Sequence, residues 1–268
     1  MSKSPILIED EDAFRKITLN RPERRNAMTP EMQMELIAAL EDAAAAECRV
    51  LVLAGAGEGF CSGLDLSALE KMRNNTASEN RADAERVARL FLALHELPIP
   101  SIAMVHGAAI GGGAGLATIC DFTLAAPDAK FGFTEVRIGF VPAIVSAFLA
   151  LHVGEKQCRD LLLTGMIFDA SEAVRLGLVN EIVPLQELTS RATALAKTLM
   201  ANSPESLRAT KRLMAIHNRP WLDAAIAQGL EANALSRETM DFQEGITAFL
   251  EKRKPVWEKG SRAKRRRR

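Results

Sequence analysis

Several residue types that often carry chemistry are scarce or absent in this sequence, and their absence narrows its function. The 268 residues include no tyrosine, which removes one common acid and hydrogen-bond donor from consideration. The four cysteines form no CxxC pair, and no histidine stands at a metal-ligand spacing from any of them. This pattern predicts isolated, reduced thiols rather than a disulfide framework or a metal site.

Long hydrophobic runs are also missing. No apolar stretch approaches the roughly 20 residues that a membrane-spanning helix requires. The first residues, MSKSPILIEDED, turn acidic without the apolar core of a signal peptide. The composition is otherwise that of a globular protein, with 48% hydrophobic and 25% charged residues. We therefore expect a cytoplasmic protein with no membrane partner and a chain long enough to bury a large core.

The net charge is zero, but the charges are unevenly placed. Between Glu251 and Arg268 ten Lys or Arg face two Glu, a local net charge of +8, so the rest of the chain carries −8. The final KRRRR is typical either of a nucleic-acid contact or of a solvated chain end. No aromatic residue interleaves with the run and no nucleic-acid motif precedes it. We therefore expect residues 258–268 to be a disordered basic tail, and we do not expect a nucleic-acid partner.

The pattern of apolar residues predicts strands that alternate with helices in the first half of the chain. AFRKITLN, RVLVLAG and SIAMVHG are typical of strands. Helix starts are predicted at Thr29, at Asp169 with Glu172 in capping-box spacing, and at Ser203. The last long helical run is predicted to stop at Pro255. Helical patterns dominate the last third, so the sequence predicts an α/β core with a helical C-terminal part.

Two glycine-rich turns carry the strongest functional signal. GEGFCSGLDL and GAAIGGGAGLATICD each follow a predicted strand and precede a predicted helix. Glycine permits unusual backbone angles and leaves the first N–H groups of the helix uncovered. Tight packing without a ligand would also explain such glycines, whereas a dinucleotide fingerprint fits poorly and the GK[ST] of a phosphate loop is absent. One N–H from each turn could meet at a single oxygen and form a main-chain oxyanion hole.

These motifs resemble the crotonase, or enoyl-CoA hydratase/isomerase, superfamily. The resemblance begins with LNRPERRNAM, GFCSGLDL and HGAAIGGGAGLATICD and continues through AKFGFTEVRIGFVP to EGITAFLEKRKPVW, about residues 6–257. It implies an α/β crotonase (ClpP/crotonase-like) fold of ββα units, with a catalytic core over residues 1–200. It further implies a helical region over residues 201–257 that makes subunit contacts in a homotrimer or a dimer of trimers. The implied substrate is an acyl-CoA thioester, with no metal and no separate cofactor because coenzyme A arrives with the substrate.

The resemblance also assigns roles to residues by their position in the motifs. The oxyanion donors would be the main-chain N–H groups of Leu64 and Gly112. Arg24 or Arg25 would lie near the CoA phosphates, although a solvated loop arginine is the alternative. The residues expected to bind the acyl group or CoA are Arg24, Arg25, Ala27, Ser62, Gly63, Asp65, Leu66, Gly111 and Gly115.

Hydratases of this family typically carry two glutamates, and this sequence keeps one of the two positions. The first position is Gly115, and the second, twenty residues later, is Glu135. Adding water to a conjugated double bond needs a base for the water and an acid for the α-carbon. Glu135 would therefore serve as both in turn, unless it is simply an ion-paired carboxylate beside Arg137. Burial among its apolar neighbours would raise its pKa toward neutrality.

Three readings of the chemistry remain open at this point. The combination of Gly115 with TEVRIGFVPAIVS resembles bacterial methylglutaconyl-CoA hydratases of leucine breakdown, which favours an enoyl-CoA hydratase. An enoyl-CoA isomerase that shifts a double bond with Glu135 alone is the alternative, and a non-catalytic acyl-CoA-binding protein is a further one. A dienoyl isomerase is disfavoured because its second acid would stand at Ala143. We expect the missing side chain at Gly115 to leave room for a branched or carboxylated acyl group.

Overall fold

The computed structural model describes residues 4–11 and 14–257, and the basic tail expected at residues 258–268 lies outside this part. The strands are β1 (Ile6–Glu11), β2 (Phe14–Leu19), β3 (Val50–Gly55), β4 (Ser101–Val105), β5 (Ala108–Ile110), β6 (Phe122–Ala125), β7 (Lys130–Gly132), β8 (Ile167–Asp169) and β9 (Glu181–Ile182). The α-helices are α1 (Pro30–Ala45), α2 (Leu66–Met72), α3 (Ala77–His95), α4 (Gly112–Ile119), α5 (Ala143–Thr164), α6 (Ala170–Arg175), α7 (Leu188–Met200), α8 (Pro204–Ser236) and α9 (Met240–Leu250). Within these residues no helix has the length and apolarity needed to cross a membrane.

The strands form two sheets whose topology agrees with the predicted α/β class. The larger sheet has the order β1-β2-β3-β4-β6-β9, with β1 antiparallel to β2 and the other neighbours parallel. The smaller sheet has the order β5-β7-β8. β3 and β4 are almost wholly buried because helices cover both faces of a parallel sheet, as their continuous apolar sequences predict. β1-β2-α1 and β4-β5-α4 each run strand, strand, helix, which confirms the expected ββα units.

The predicted helix starts are confirmed. They could be predicted because each cap is an interaction between residues close in the sequence. The hydroxyl of Thr29 accepts a hydrogen bond from the N–H of the third residue of α1, and Ser203 does the same for α8. Asp169 accepts from the N–H of Glu172 at the start of α6. The reciprocal half of the capping box is not formed, because the Glu172 carboxylate pairs with Arg175.

The predicted end of the last helix at Pro255 is wrong by five residues. α9 ends at Leu250, and Lys252 adopts a left-handed conformation with φ of 54°. The N–H of Arg253 then turns back to the carbonyl of Ala248 at 2.9 Å. A left-handed residue therefore closes the helix before the proline could stop it.

The helical region after residue 200 is part of the central core rather than an appendage to it. α8 packs against α3 and α5, and its Leu222 and Ile226 join the core cluster that contains Phe91 and Phe148. α9 packs against the short 3₁₀ helix Glu135–Ile138. The segment expected to make subunit contacts thus also supports the element that carries Glu135.

Candidate active site

Hydrogen bonds between three segments build the site. The N–H of Cys61 donates to the carbonyl of Ala108, and the N–H of Ile110 donates to the carbonyl of Cys61, both at 2.9 Å. β5 pairs in parallel with β7, and the N–H of Gly111 donates to the carbonyl of Gly132 at 2.7 Å. The segments 61–64, 110–112 and 132–135 therefore lie side by side. The sequence did not reveal β5, which stands between β4 and the start of α4.

The two residues expected to supply main-chain donors line one cavity. Met28 is hydrogen-bonded to the residues on either side of Leu64. The N–H of Met28 donates to the carbonyl of Gly63 at 2.7 Å, and the carbonyl of Met28 accepts from the N–H of Asp65 at 3.1 Å. Leu64 itself and Gly112, the first residue of α4, donate their N–H groups to no acceptor in the described part of the chain. Both residues line the cavity, where the positive end of α4 adds to the field of the two donors.

Glycine is required at two positions beside these donors. Gly63 has φ of 92°, and a Cβ there would lie 2.9 Å from the carbonyl oxygen of Ile110. Gly111 has φ of 55°, and its Cβ would lie 3.2 Å from Oε1 of Glu135. Left-handed angles and these close approaches together exclude a side chain. The glycines therefore let the backbone and Glu135 approach the same small space.

Glu135 is half-buried, and its carboxylate has no counter-cation among the described residues. It opens the 3₁₀ helix Glu135–Ile138, lines the cavity, and buries Oε2 without a hydrogen-bond partner. Arg137, the competing partner considered above, makes no ion pair with it among the described residues. Burial raises the pKa of Glu135 from 4.5 to about 7, and a hydrogen bond from its own backbone N–H offsets part of this rise. A group with this pKa can both accept and release a proton near neutral pH.

The cavity has a volume of about 230 Å³ and is mostly apolar. α3, α5 and the segment between the 3₁₀ helix and α5 contribute its apolar wall: Val87, Phe91, Phe140, Ile144 and Val145. Two carboxylates, Asp83 and Glu135, belong to its described wall. Asp83 is paired with both Arg86 and Arg237. Glu135 is therefore the one carboxylate in the described cavity wall that forms no ion pair. Ala143, the position of a dienoyl isomerase's second acid, also lines the cavity.

The expectation that Gly115 opens room for an acyl group is wrong. Gly115 is buried but does not belong to the cavity wall. A Cβ at this position would lie 2.8 Å from Cζ of Phe91 and 3.1 Å from Cγ2 of Val145. The side chains of Phe91 and Val145 occupy the space, and it is they that face the cavity.

The other residues expected to bind substrate divide into two groups. Ser62, Gly63 and Gly111 line the cavity, whereas Arg24, Arg25, Ala27 and Asp65 do not. Arg24 and Arg25 are exposed, and Ala27 is buried. Leu66 is the first residue of α2.

Asp65 has a structural partner that explains its burial. Its carboxylate pairs with Arg21 at 2.9 Å and accepts the N–H of Ser67 as the cap of α2. Arg21 also donates to the carbonyl of Ala27. These bonds fix the segment next to Leu64, so Asp65 helps to hold the N–H of Leu64 in place through the backbone.

Asn26 is a further structural residue that the sequence reasoning missed. It is fully buried in a left-handed conformation with φ of 54°. Its side-chain amide donates to the carbonyls of Ala56 and Gly59, each at 2.8 Å, and its Oδ1 accepts from the N–H of Arg21. Cys61 donates its thiol to the carbonyl of Asn26, and burial raises the pKa of that thiol to about 12. An asparagine within a turn was the available signal, because asparagine tolerates left-handed angles.

The sequence reasoning also missed the polar part of the cavity wall. Asp83, Asn233 and Arg237 contribute to it from α3, α8 and the residue after α8. Asp83 interrupts the buried apolar face of α3, and this irregularity was visible in the sequence. No local pattern marks Arg237, since it meets Asp83 across the fold. The described residues hold no cluster of three or more His, Cys, Asp or Glu side chains that could bind a metal ion.

Known proteins resemble this chain in sequence and fold over nearly its whole length. A family profile described as enoyl-CoA hydratase/isomerase matches residues 9–260. A Thermus thermophilus protein, provisionally named enoyl-CoA hydratase, is 45% identical over 240 residues, which cover 89% of this chain and 95% of that protein. A crotonyl-CoA hydratase of Syntrophomonas wolfei is 34% identical over 95% of this chain and 98% of that protein. The solved structure of an enoyl-CoA hydratase/isomerase from Xanthobacter autotrophicus Py2 has a TM-score of 0.86 at 31% identity and covers 93% of this chain and 94% of that one. The chain therefore has the crotonase fold and belongs to the enoyl-CoA hydratase/isomerase family.

Proposed function

We propose that this protein is an enoyl-CoA hydratase that adds water to 2-enoyl-CoA thioesters with Glu135 as its acid–base residue. The observation that carries the proposal is the geometry of one cavity. An unpaired carboxylate with a pKa of about 7 lines the same cavity as Leu64 and Gly112, whose N–H groups have no acceptor among the described residues. The hydratase names of the similar proteins support the same reaction class.

The proposed reaction begins with Glu135 ionised. The carboxylate takes a proton from water as the hydroxyl adds to C3 of the enoyl group, and the electrons of the double bond move onto the thioester oxygen. The N–H groups of Leu64 and Gly112 hold the resulting enolate oxygen. Glu135 then returns the proton to C2, which gives the 3-hydroxyacyl-CoA and restores the ionised carboxylate.

Main-chain donors suit this role because they are fixed before the reaction begins. The hydrogen bonds to Met28 on both sides of Leu64, and the helix start at Gly112, hold both N–H groups in place. Removing one donor of an oxyanion hole typically raises the barrier by roughly 2.7–4 kcal/mol. Coenzyme A enters as part of the substrate, and the proposal needs no further cofactor.

An enoyl-CoA isomerase is the second candidate, and a specific observation favours it. Glu135 is the single unpaired carboxylate of the described cavity wall, and Phe91 and Val145 fill the position where a second glutamate would stand. Shifting a double bond from the β–γ to the α–β position needs one group that removes a proton and returns it. The same oxyanion hole would stabilise the dienolate of that reaction.

The test is the absorbance of the conjugated thioester, followed with crotonyl-CoA and with 3-methylglutaconyl-CoA. We expect wild-type protein to remove this absorbance and Glu135→Gln to lose at least about a hundredfold in rate. The faster substrate decides whether the proposed methylglutaconyl-CoA subgroup, and with it leucine breakdown, is correct. If both substrates stay unchanged while a 3-enoyl-CoA gains the absorbance, the isomerase is correct. Tight acyl-CoA binding without turnover of any of the three would show a non-catalytic binding protein.

We also propose a homotrimer or a dimer of trimers in the cytoplasm, as the resemblance implies. The support for assembly is a set of exposed apolar side chains on α8: Leu213, Met214, Ile216 and Trp221. Four buried, unpaired cysteine thiols are consistent with a reducing compartment.

A further inference from the structure

The cavity has a polar part that the proposed hydration does not use. Asn233 and Arg237 line it, although they are only 4% and 3% exposed. Asp83 on α3 lines it beside them. The remaining side chains of this region, such as Ala84 and Val87, are apolar. Buried polar groups in an apolar wall require partners, because burying them unpaired is unfavourable.

The partners present in the protein leave some of these polar atoms unsatisfied. Nη2 of Arg237 donates to Asp83 at 2.7 Å, and Nη1 donates to Asn80 at 3.2 Å. Nε of Arg237 and Oδ1 of Asn233 are both buried without a hydrogen-bond partner. The guanidinium also lies over the ring of Phe140, with 5.1 Å from Cζ to the ring centroid. Its position is thus fixed from several sides while one donor remains unused.

The charges in this cluster do not balance. Asp83 accepts from two arginines, Arg86 and Arg237, so two cations share one anion. Arg86 reaches away from the cavity toward Gln33, whose side chain it binds at 2.7 Å. Arg237 is the one cation in the described part of the cavity wall. An excess of positive charge that is removed from water favours an anionic group as ligand.

We propose that Arg237 is a specificity-determining residue that binds a carboxylate at the far end of the acyl group. The preferred substrates are then ω-carboxylated 2-enoyl-CoA thioesters, the mono-CoA esters of unsaturated dicarboxylic acids. The carboxylate accepts from the guanidinium of Arg237, whose Nε is the buried donor without a partner. This inference deepens the proposed hydratase function. That these thioesters are substrates rests on the proposed function, whereas the preference in binding them requires no turnover.

A purely structural role for Arg237 is the competing account. The ion pair with Asp83 ties the end of α8 to α3, and a clamp of this kind needs no ligand. A clamp does not require Arg237 to line the cavity, nor does it use Nε of Arg237, a donor that is buried without a partner. The two accounts predict different ligand preferences, so binding measurements separate them.

The experiment measures equilibrium binding of saturated, unreactive thioesters by calorimetry. Glutaryl-CoA is compared with pentanoyl-CoA, and adipyl-CoA with hexanoyl-CoA, so that each pair differs in the terminal carboxylate alone. We expect wild-type protein to bind at least one carboxylated member roughly tenfold or more tighter than its partner, as a hydrogen bond to a charged group implies. Equal or weaker binding of both carboxylated members would overturn the proposal. Failure of the hydration assay would leave these binding constants unaffected, so the two claims fail separately.

Two variants then identify the residue responsible. Arg237→Met alone would bury the Asp83 charge without one of its partners, so it is combined with Asp83→Asn, which keeps the local net charge unchanged. We expect this double variant to lose the preference for the carboxylate and to retain its affinity for pentanoyl-CoA within about threefold. Arg86→Met is the matched control, because it removes a cation from the same cluster but not from the cavity wall, and it should keep the preference. Loss of the preference in Arg86→Met but not in the double variant would show that overall charge, and not contact with Arg237, determines binding.

Discussion

At the scale of single residues, Glu135 lies half-buried in the wall of a cavity, and no cation in the described part of the chain pairs with its carboxylate. In the unfolded chain its pKa would be the ordinary 4.5, and in the folded protein it is about 7. The folded state therefore binds the extra proton between these two pH values. By linkage, the free energy of unfolding falls as the pH rises from about 4.5 to about 7, and the loss is complete above that range.

This linkage predicts that Glu135→Gln stabilises the protein at neutral and higher pH. Glutamine carries no charge to bury, so the variant avoids a loss of roughly 3 kcal/mol at most. Urea unfolding of both proteins from about pH 4.5 to about pH 8 measures the difference. The stability gained by the substitution should grow with pH across this range, and a gain that is the same at every pH would contradict the burial of an unpaired carboxylate.

Gly115 allows a second test at the residue scale. Because a Cβ there would lie 2.8 Å from the ring of Phe91, Gly115→Glu should not simply supply a second catalytic carboxylate. We expect it to destabilise the protein by about 1–3 kcal/mol through overpacking. Phe91→Ala removes the obstructing ring, so Gly115→Glu should be less harmful in that background. A double-mutant cycle of unfolding free energies checks this, and strictly additive effects would show that the ring does not fill the position.

At the scale of elements, the packing of α9 against the 3₁₀ helix Glu135–Ile138 connects the C-terminal region to Glu135, the proposed acid–base residue. A Cβ at Gly245 of α9 would lie 2.2 Å from the carbonyl oxygen of Ile138. The carbonyl oxygen belongs to the backbone and cannot turn aside as a flexible side chain could. A methyl group at Gly245 would therefore push α9 away from the 3₁₀ helix. A displacement of this kind would shift Glu135 relative to the oxyanion hole.

We therefore expect Gly245→Ala to lower both stability and kcat. The stability loss should be about 1–3 kcal/mol, and misplacement of the acid–base group should lower kcat by up to about a hundredfold. Met240→Ala, at an exposed position of the same helix, is the matched control. Thermal unfolding and crotonyl-CoA hydration are measured for both variants. If Gly245→Ala behaves like Met240→Ala, α9 does not position Glu135.

The elements also show which parts of the fold the sequence could predict. The starts of α1, α6 and α8 were predictable because each capping side chain accepts a hydrogen bond from an N–H group only three residues further along the chain. β5 was not, because three residues form a strand there only through pairing with β7 and bridging to Cys61. The early end of α9 depends on a left-handed lysine, for which the sequence gives no signal.

At the scale of the whole molecule, the site combines residues that lie far apart in the sequence. The resemblance to the crotonase motifs assigned Leu64, Gly112 and Glu135 to one site, and all three line one cavity. The contact between Asp83 and Arg237 joins residues 154 positions apart, and no local pattern predicts it. The filled space beside Gly115 was equally unpredictable, because it depends on the position of the Phe91 ring.

The apolar side chains exposed on α8 predict assembly of the whole molecule. Burying such a surface against further copies would remove Leu213 and Met214 from water. Sedimentation should therefore show a trimer or a hexamer, and the pair of substitutions Leu213→Glu and Met214→Glu should shift it toward smaller species. A wild-type protein that sediments as a monomer of 29.2 kDa at micromolar concentration would contradict this.

The central claim is that one carboxylate with a raised pKa performs both proton transfers. The most direct test is the pH dependence of kcat/KM for crotonyl-CoA from about pH 5 to about pH 9, with Glu135→Gln alongside. Because hydration begins with ionised Glu135, the wild-type value should rise nearly tenfold per pH unit at low pH and level off above its pKa of about 7. Glu135→Gln should be slower by at least about a hundredfold and show no such rise. A flat wild-type profile, or a Glu135→Gln variant with wild-type activity, would contradict the account.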